Sequence, residues 1–160
     1  MSSTQIPNDD RARVAAALSG VLADTFLLYV KVHGFHWNAR GPRFRMLHLM
    51  FEDQYNELWS ALDPIAERIR ALGQPAPGTL QAYAALSSLP ETAGMPSASE
   101  MIQAALSGHE HVARRAAEAL RVAEAAQDVV TADVLTERIG SHEKTAWMLR
   151  ALLEDGEATA

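Results

Sequence analysis

Between Lys31 and Gln54 the chain reads KVHGFHWNARGPRFRMLHLMFEDQ, with three histidines and two acidic side chains in a short span. Imidazole nitrogens and carboxylate oxygens are metal ligands of intermediate hardness, suited to iron more than to calcium or magnesium. His33 and His36 precede the Gly41-Pro42 break, and His48 and Glu52 follow it. A metal held by both groups therefore takes ligands from two helices. Further on, Asp63 and Glu67 form a second acidic pair at i, i+4 spacing. Structural roles compete with this reading. A histidine at a helix end commonly serves as a polar surface or capping group, and Asp63 and Glu67 beside Arg68 also fit a solvated or ion-paired face.

Helix geometry constrains how these residues can meet. With His48 as zero and 100° per residue, Glu52 lies at about 40°, Asp63 at about 60° and Glu67 at about 100°, all on one side. Along the axis, however, Asp63 lies roughly 22 Å beyond His48 at about 1.5 Å per residue. One ion with ligand bonds of about 2 Å cannot join the two pairs. Ferritin-type bundles complete di-iron sites within one chain with Glu-x-x-His pairs, but no glutamate here is followed by histidine three residues later. A second copy of the chain is the remaining route. Antiparallel packing of two such helices about a two-fold axis sets His48 and Glu52 of one copy against Asp63 and Glu67 of the other, and symmetry repeats the site.

The elements that carry these residues are helical. Leu18, Val21, Leu22, Thr25, Phe26, Leu28, Tyr29 and Val32 recur at helical steps, and Asp9 or Asp10 is the expected cap of this first helix, which ends near Trp37–Asn38. The second helix is expected to open at Pro42 and run to Leu72, long and bent at Pro64, with Leu47, Met50, Phe51, Leu58, Leu62, Ile65 and Ile69 facing inward. A Pro-, Gly- and Ser-rich connection from Gly73 to Pro96 holds a short helical segment, TLQAYAALSSL. Ser97 and Glu100 form a capping box that starts a third long helix to about Ala126. The last runs from about Thr131 to Leu153. No strand or hairpin pattern occurs. The expected architecture is an all-α four-helix bundle with a short extra helix in its longest connection.

The 160 residues suit a single domain, 1–160, with short flexible termini at about 1–8 and 155–160. The absence of cysteine removes disulfides, thiolate metal sites and cysteine nucleophiles. The N-terminus lacks a secretion-signal pattern, and the longest apolar runs, such as GVLADTFLLYV, are broken by Asp24 and read as short of a membrane span. A cytoplasmic location is expected. The formal net charge of −6 disfavours nucleic acid as a partner, because phosphates dominate that binding.

The run FHWNARGPRFRMLHLMFEDQY, followed by LDPIAERIRALG, resembles the Dps family, the mini-ferritins of the ferritin-like superfamily, from Phe35 to Gly73. The resemblance implies a ferroxidase centre with His36 and His48 from one subunit and Asp63 and Glu67 from its two-fold mate. Glu52 falls at an additional acidic ligand, Trp37 at an aromatic lining position, and His33 is a further candidate ligand. It also implies a hollow dodecamer that oxidises Fe(II), preferably with hydrogen peroxide rather than oxygen, and stores ferric mineral. Zinc is a candidate substitute for iron at such a site. The segment DVVTADVL resembles an acidic motif at three-fold pores, which makes Asp133, Asp128 and Glu124 candidates for guiding Fe(II) inward. In GHEHV and HEKTAWMLRALL, residues His109, His111, His142, Glu143 and Trp147 read as packing and surface groups instead.

Two departures stand out. DNA-condensing members carry a Lys-rich tail, whereas no lysine precedes Lys31 here. Twelve copies would carry a formal charge of about −72, so the alternative role, a structural DNA-compacting cage, is disfavoured. The second departure is Pro64, immediately after Asp63.

Overall fold

A computed structural model of the chain describes residues 5–154. Five helices follow in order: α1 (Asn8–Asn38), α2 (Phe44–Ala71), α3 (Leu80–Leu86), α4 (Ala98–Ala125) and α5 (Val129–Glu154). No strand occurs among the described residues. The expected termini at 1–4 and 155–160 lie outside the described residues. Ile6, inside the expected N-terminal tail, is instead buried against the α1 and α2 core.

Some helix starts differ from expectation for local reasons. Pro7 precedes α1, and Asp9 and Asp10 sit in its first turn, where carboxylates meet the positive helix end. Pro42 lies in a turn closed by Phe44 N–H donating to the Gly41 carbonyl (3.0 Å), so α2 begins two residues later than expected. Asp128 caps α5 through the Thr131 amide (3.1 Å), which moves its start back to Val129. The Ser97–Glu100 capping box forms as expected. Pro64 is accommodated inside one continuous α2.

The helices form two hairpins, α1–α2 and α4–α5, joined by a crossover containing α3. Cross-bundle contacts fix the directions. Arg115 of α4 reaches Asp24 of α1, while Gly108 lies against Leu28, so α1 and α4 are antiparallel. Glu57 of α2 meets Arg138 of α5 and Arg68 meets Thr131, so α2 and α5 are antiparallel too. The crossover consequently spans the bundle from the α4–α5 end to the α1–α2 end, where Arg43 bonds Ser99 (3.1 Å).

The core lies in two clusters. One gathers Leu28, Val32, Phe35, Leu47, Phe51, Leu58, Ile102 and Leu149; the other gathers Leu18, Val21, Ile65, Ile69, Leu72, Ala116 and Leu135. The α2 residues among them repeat at four- and seven-residue steps, and burying each large one contributes roughly 1.5–3 kcal/mol. α1 is long and apolar enough to cross a membrane, contrary to the reading of its apolar runs, but its apolar residues fill this core.

Candidate metal centre

The α1–α2 corner brings the two histidine-bearing segments together. Gly41 adopts φ +90°, a left-handed conformation open to glycine without strain, and lets the chain reverse within five residues. His36, one turn from the end of α1, then lies against His48, one turn into α2. Their rings stack at 3.8 Å with an interplanar angle of 19°.

Each ring is held by the other's backbone. His36 Nδ1 donates to the His48 carbonyl at 2.8 Å, and His48 Nδ1 donates to the His36 carbonyl at 2.9 Å. A carbonyl only accepts, so both Nδ1 atoms carry the proton and both Nε2 atoms keep a lone pair. This outer hydrogen bond is the arrangement that orients a metal-binding imidazole and fixes its tautomer. Glu52, one turn after His48, joins them. Ligand atoms of His36, His48 and Glu52 all lie within 4.8 Å of one another. His36 is buried, whereas His48 and Glu52 are half-buried, so the group opens to one side.

Asp63 and Glu67 are not part of this group. Both are exposed, farther along α2, and among the described residues neither side chain has a hydrogen bond or ion pair. The ion-paired alternative with Arg68 does not hold, because Arg68 is buried and turns inward to Asp128. One chain therefore presents three residues that could hold a metal ion and, separately, two exposed carboxylates.

His33 stands outside the three-ligand group. Its Nδ1 pairs with the Tyr29 hydroxyl (3.1 Å), and its ring stacks on Tyr55 at 3.9 Å. Burial, followed by the neighbouring His36, lowers its pKa. Tyr55 also presents its ring to His36 edge-on, at 5.1 Å. The motif does not single out Tyr55; its position seven residues after His48 is the signal that places it on this face. Trp37 is 66% exposed, with its ring 4.1 Å from His33.

Of the residues expected at a pore, Glu124 and Asp133 are exposed near the α4–α5 turn. Asp128 is not available for that role. It is fully buried, bonded to Arg68 and Thr131, and those hydrogen bonds outweigh burial and lower its pKa. Its place in a tight turn suggests solvent, but Arg68 reaches it from α2 just after the left-handed Gln127 (φ 55°).

Comparison with known proteins agrees with this layout. A ferritin-like domain model matches residues 15–159. The DNA protection during starvation protein of Brevibacillus brevis is 38% identical, covering 88% of this chain and 95% of that one. DNA protection during starvation protein 2 of Bacillus anthracis is 36% identical over 88% of this chain and 97% of its own. The crystal structure of a Dps protein from Bacillus brevis superposes with a TM-score of 0.88 at 36% identity, covering 91% of this chain and 97% of that chain. The chain belongs to the Dps family of ferritin-like proteins. Dps from Thermosynechococcus elongatus, at 28% identity, gives a TM-score of 0.89 over 94% of this chain and 98% of that one. Another Dps neighbour, from Vibrio cholerae O1, is described as a member of a superfamily of ferritin-like diiron-carboxylate proteins; its TM-score is 0.89 at 27% identity, with 92% and 93% covered. The paired histidines of this Dps-family chain lie at the α1–α2 corner and not between the four helices.

Proposed function

We propose that the protein is an iron-storing mini-ferritin whose ferroxidase centres form between two copies of the chain. His36 and His48 offer Nε2, and Glu52 a carboxylate oxygen; Asp63 and Glu67 of a second copy complete the set. Fe(II) is the substrate. With hydrogen peroxide as oxidant the balance is 2 Fe(II) + H2O2 + 2 H+ → 2 Fe(III) + 2 H2O, which consumes both reactants of hydroxyl-radical chemistry. The ferric product then hydrolyses and is stored inside a closed assembly, a dodecamer by resemblance to the family. Asp133 and Glu124 supply negative potential at the mouth through which Fe(II) is drawn.

One observation carries this reading: the reciprocal His36–His48 bonds leave two free Nε2 lone pairs beside Glu52, while Asp63 and Glu67 stay exposed and unpaired on the same helix. The surroundings favour a second chain there. Trp37 and Trp59 are 66% and 58% exposed, and Val30, Phe44 and Leu49 are exposed on the same two helices. Large apolar side chains left exposed beside polar groups favour a surface that becomes covered.

Fe(II) added anaerobically and then treated with peroxide should give a rise in ferric absorbance. A His36→Ala, His48→Ala double variant should lose its fast phase, and unchanged kinetics would exclude these ligands.

A further inference from the structure

Pro64 lies between Asp63 and Glu67. It has no N–H, so the Ser60 carbonyl loses its helical donor and α2 is weakest where the carboxylate half begins. Around that missing bond the helix needs another anchor if two exposed side chains are to hold a fixed direction.

Arg68 follows Glu67 immediately. Its guanidinium is buried, with one terminal nitrogen 2.8 and 3.0 Å from the two oxygens of Asp128. Its Nε donates to the Thr131 hydroxyl at 2.8 Å, and that hydroxyl donates onward to Asp128. Asp128 also accepts the Thr131 amide (3.1 Å), so the acceptor is itself fixed by the start of α5. An arginine held through two of its nitrogens by two fully buried partners sets rotation about α2 as well as distance. Ile65 and Ile69 pack beside it but are non-directional.

We infer that Arg68 is a positioning residue for the Asp63–Glu67 half of the metal centre: clamped to Asp128 and Thr131, it fixes the rotation of α2 beside these carboxylates, where the helix lacks one hydrogen bond at Pro64. The inference rests on the proposed inter-chain site. Outer groups that orient ligands commonly change metal affinity by about 10–100-fold when removed.

Anaerobic titration of the assembled protein with Fe(II) alone tests it. Arg68→Met combined with Asp128→Asn leaves no buried charge and keeps a capping oxygen for α5. The apparent Kd should rise by about tenfold or more with the assembly intact. Adding Pro64→Ala to that variant, which restores the missing helical bond, should recover much of the affinity; a merely structural role predicts no recovery. A Kd within about twofold of the unaltered protein, or no recovery with Pro64→Ala, overturns the inference. Should the double variant fail to fold, Thr131→Val removes only the hydroxyl link, and a weakening of a few-fold is expected; unchanged affinity there also overturns it. Asp63→Asn with Glu67→Gln separates the two layers of argument. If that variant binds Fe(II) normally, the inter-chain site itself fails. If it loses binding while the clamp variants do not, only the role of Arg68 is lost.

Discussion

The Nδ1 atoms of His109 and His142 lie 2.9 Å apart in the middle of the bundle. Arg138 approaches His142 Nε2 at 3.4 Å, and a guanidinium only donates, so that nitrogen keeps its lone pair. His142 Nδ1 then carries the proton and donates to His109 Nδ1. His109 Nε2–H in turn donates to Gln54 Oε1 at 3.3 Å. Two neutral rings satisfy every position, and a further proton on either ring would set two donors against each other.

This arrangement gives stability a defined pH dependence. Burial first, opposed by Glu57 and reinforced by Arg138, holds the His109 pKa at about 4, and burial, His109 and Arg138 hold His142 well below its usual value. Ser141 and Arg138 bond Glu57 on the α2 side, while Glu110, Arg114, Glu143 and Arg150 line the groove that reaches His142 from the α4–α5 surface. A histidine whose folded pKa is depressed contributes stability that is full above its unfolded value near 6.5 and lost as pH falls toward its folded value. For His109 alone the loss between pH 6.5 and 4 is on the order of 3 kcal/mol. Urea midpoints at fixed protein concentration should fall across that window. They should fall less in a His109→Gln, His142→Gln variant, and parallel slopes in both proteins would remove the pair as the cause.

A second buried charge ties the crossover to the bundle. Asp24, fully buried in α1, accepts from the Ser87 hydroxyl (2.6 Å) and from the Ser88 and Leu89 amides (2.8 and 3.1 Å), and it pairs with Arg115 (3.0 Å) and His111 (3.3 Å). Burial alone would raise its pKa, but these hydrogen bonds and Arg115 together lower it. Its contribution is therefore present above the unfolded carboxylate value and lost as pH falls through the lower folded one. Asp24→Ala leaves the Ser88 amide without its acceptor and takes the carboxylate from Arg115, which keeps the Leu86 carbonyl and the Ser88 hydroxyl, an effect of about 1–3 kcal/mol. Limited proteolysis of this variant should cut first within residues 87–97; unchanged protection there would show that the crossover is held by something else.

Much of this molecule is legible from its sequence because it is local. The α2 stripe and the Ser97–Glu100 box follow from spacing and short motifs along one helix, and the choice of His36 to join His48 and Glu52 follows from the resemblance to the family. What spacing does not reveal depends on partners 30 to 90 residues away. His109 and His111 diverge on α4, as i, i+2 spacing requires, yet each meets a specific partner, His142 and Asp24. Asp128 has the sequence setting of a surface acid, and only the approach of Arg68 from α2 makes it a buried one. In the same way the tautomers of His36 and His48 follow from carbonyls that the Gly41 turn brings near, not from the residues themselves.

Charge sets the expectation for DNA. A chain of net charge −6 offers few phosphate contacts. Gel shifts should show at most weak retention at low salt and none at physiological salt. Retention that survives salt would require basic contacts that the sequence charge does not suggest.

The proposed division of the metal centre between two copies predicts a consequence that neither half shows alone. A chain with His36→Ala and His48→Ala keeps its carboxylate half, and one with Asp63→Asn and Glu67→Gln keeps its imidazole half. Assemblies of either variant alone contain no complete site. In a mixed two-fold dimer, one of the two sites receives both intact halves and the other receives neither, because an isologous contact pairs each half with its counterpart. Random co-assembly makes about half of the dimers mixed, so about a quarter of all sites should regain fast Fe(II) oxidation. Co-expressed variants measured against each variant alone decide the matter. Recovery near that fraction is the outcome expected of a shared centre, whereas no recovery in assemblies proven to be mixed would place the chemistry within a single chain.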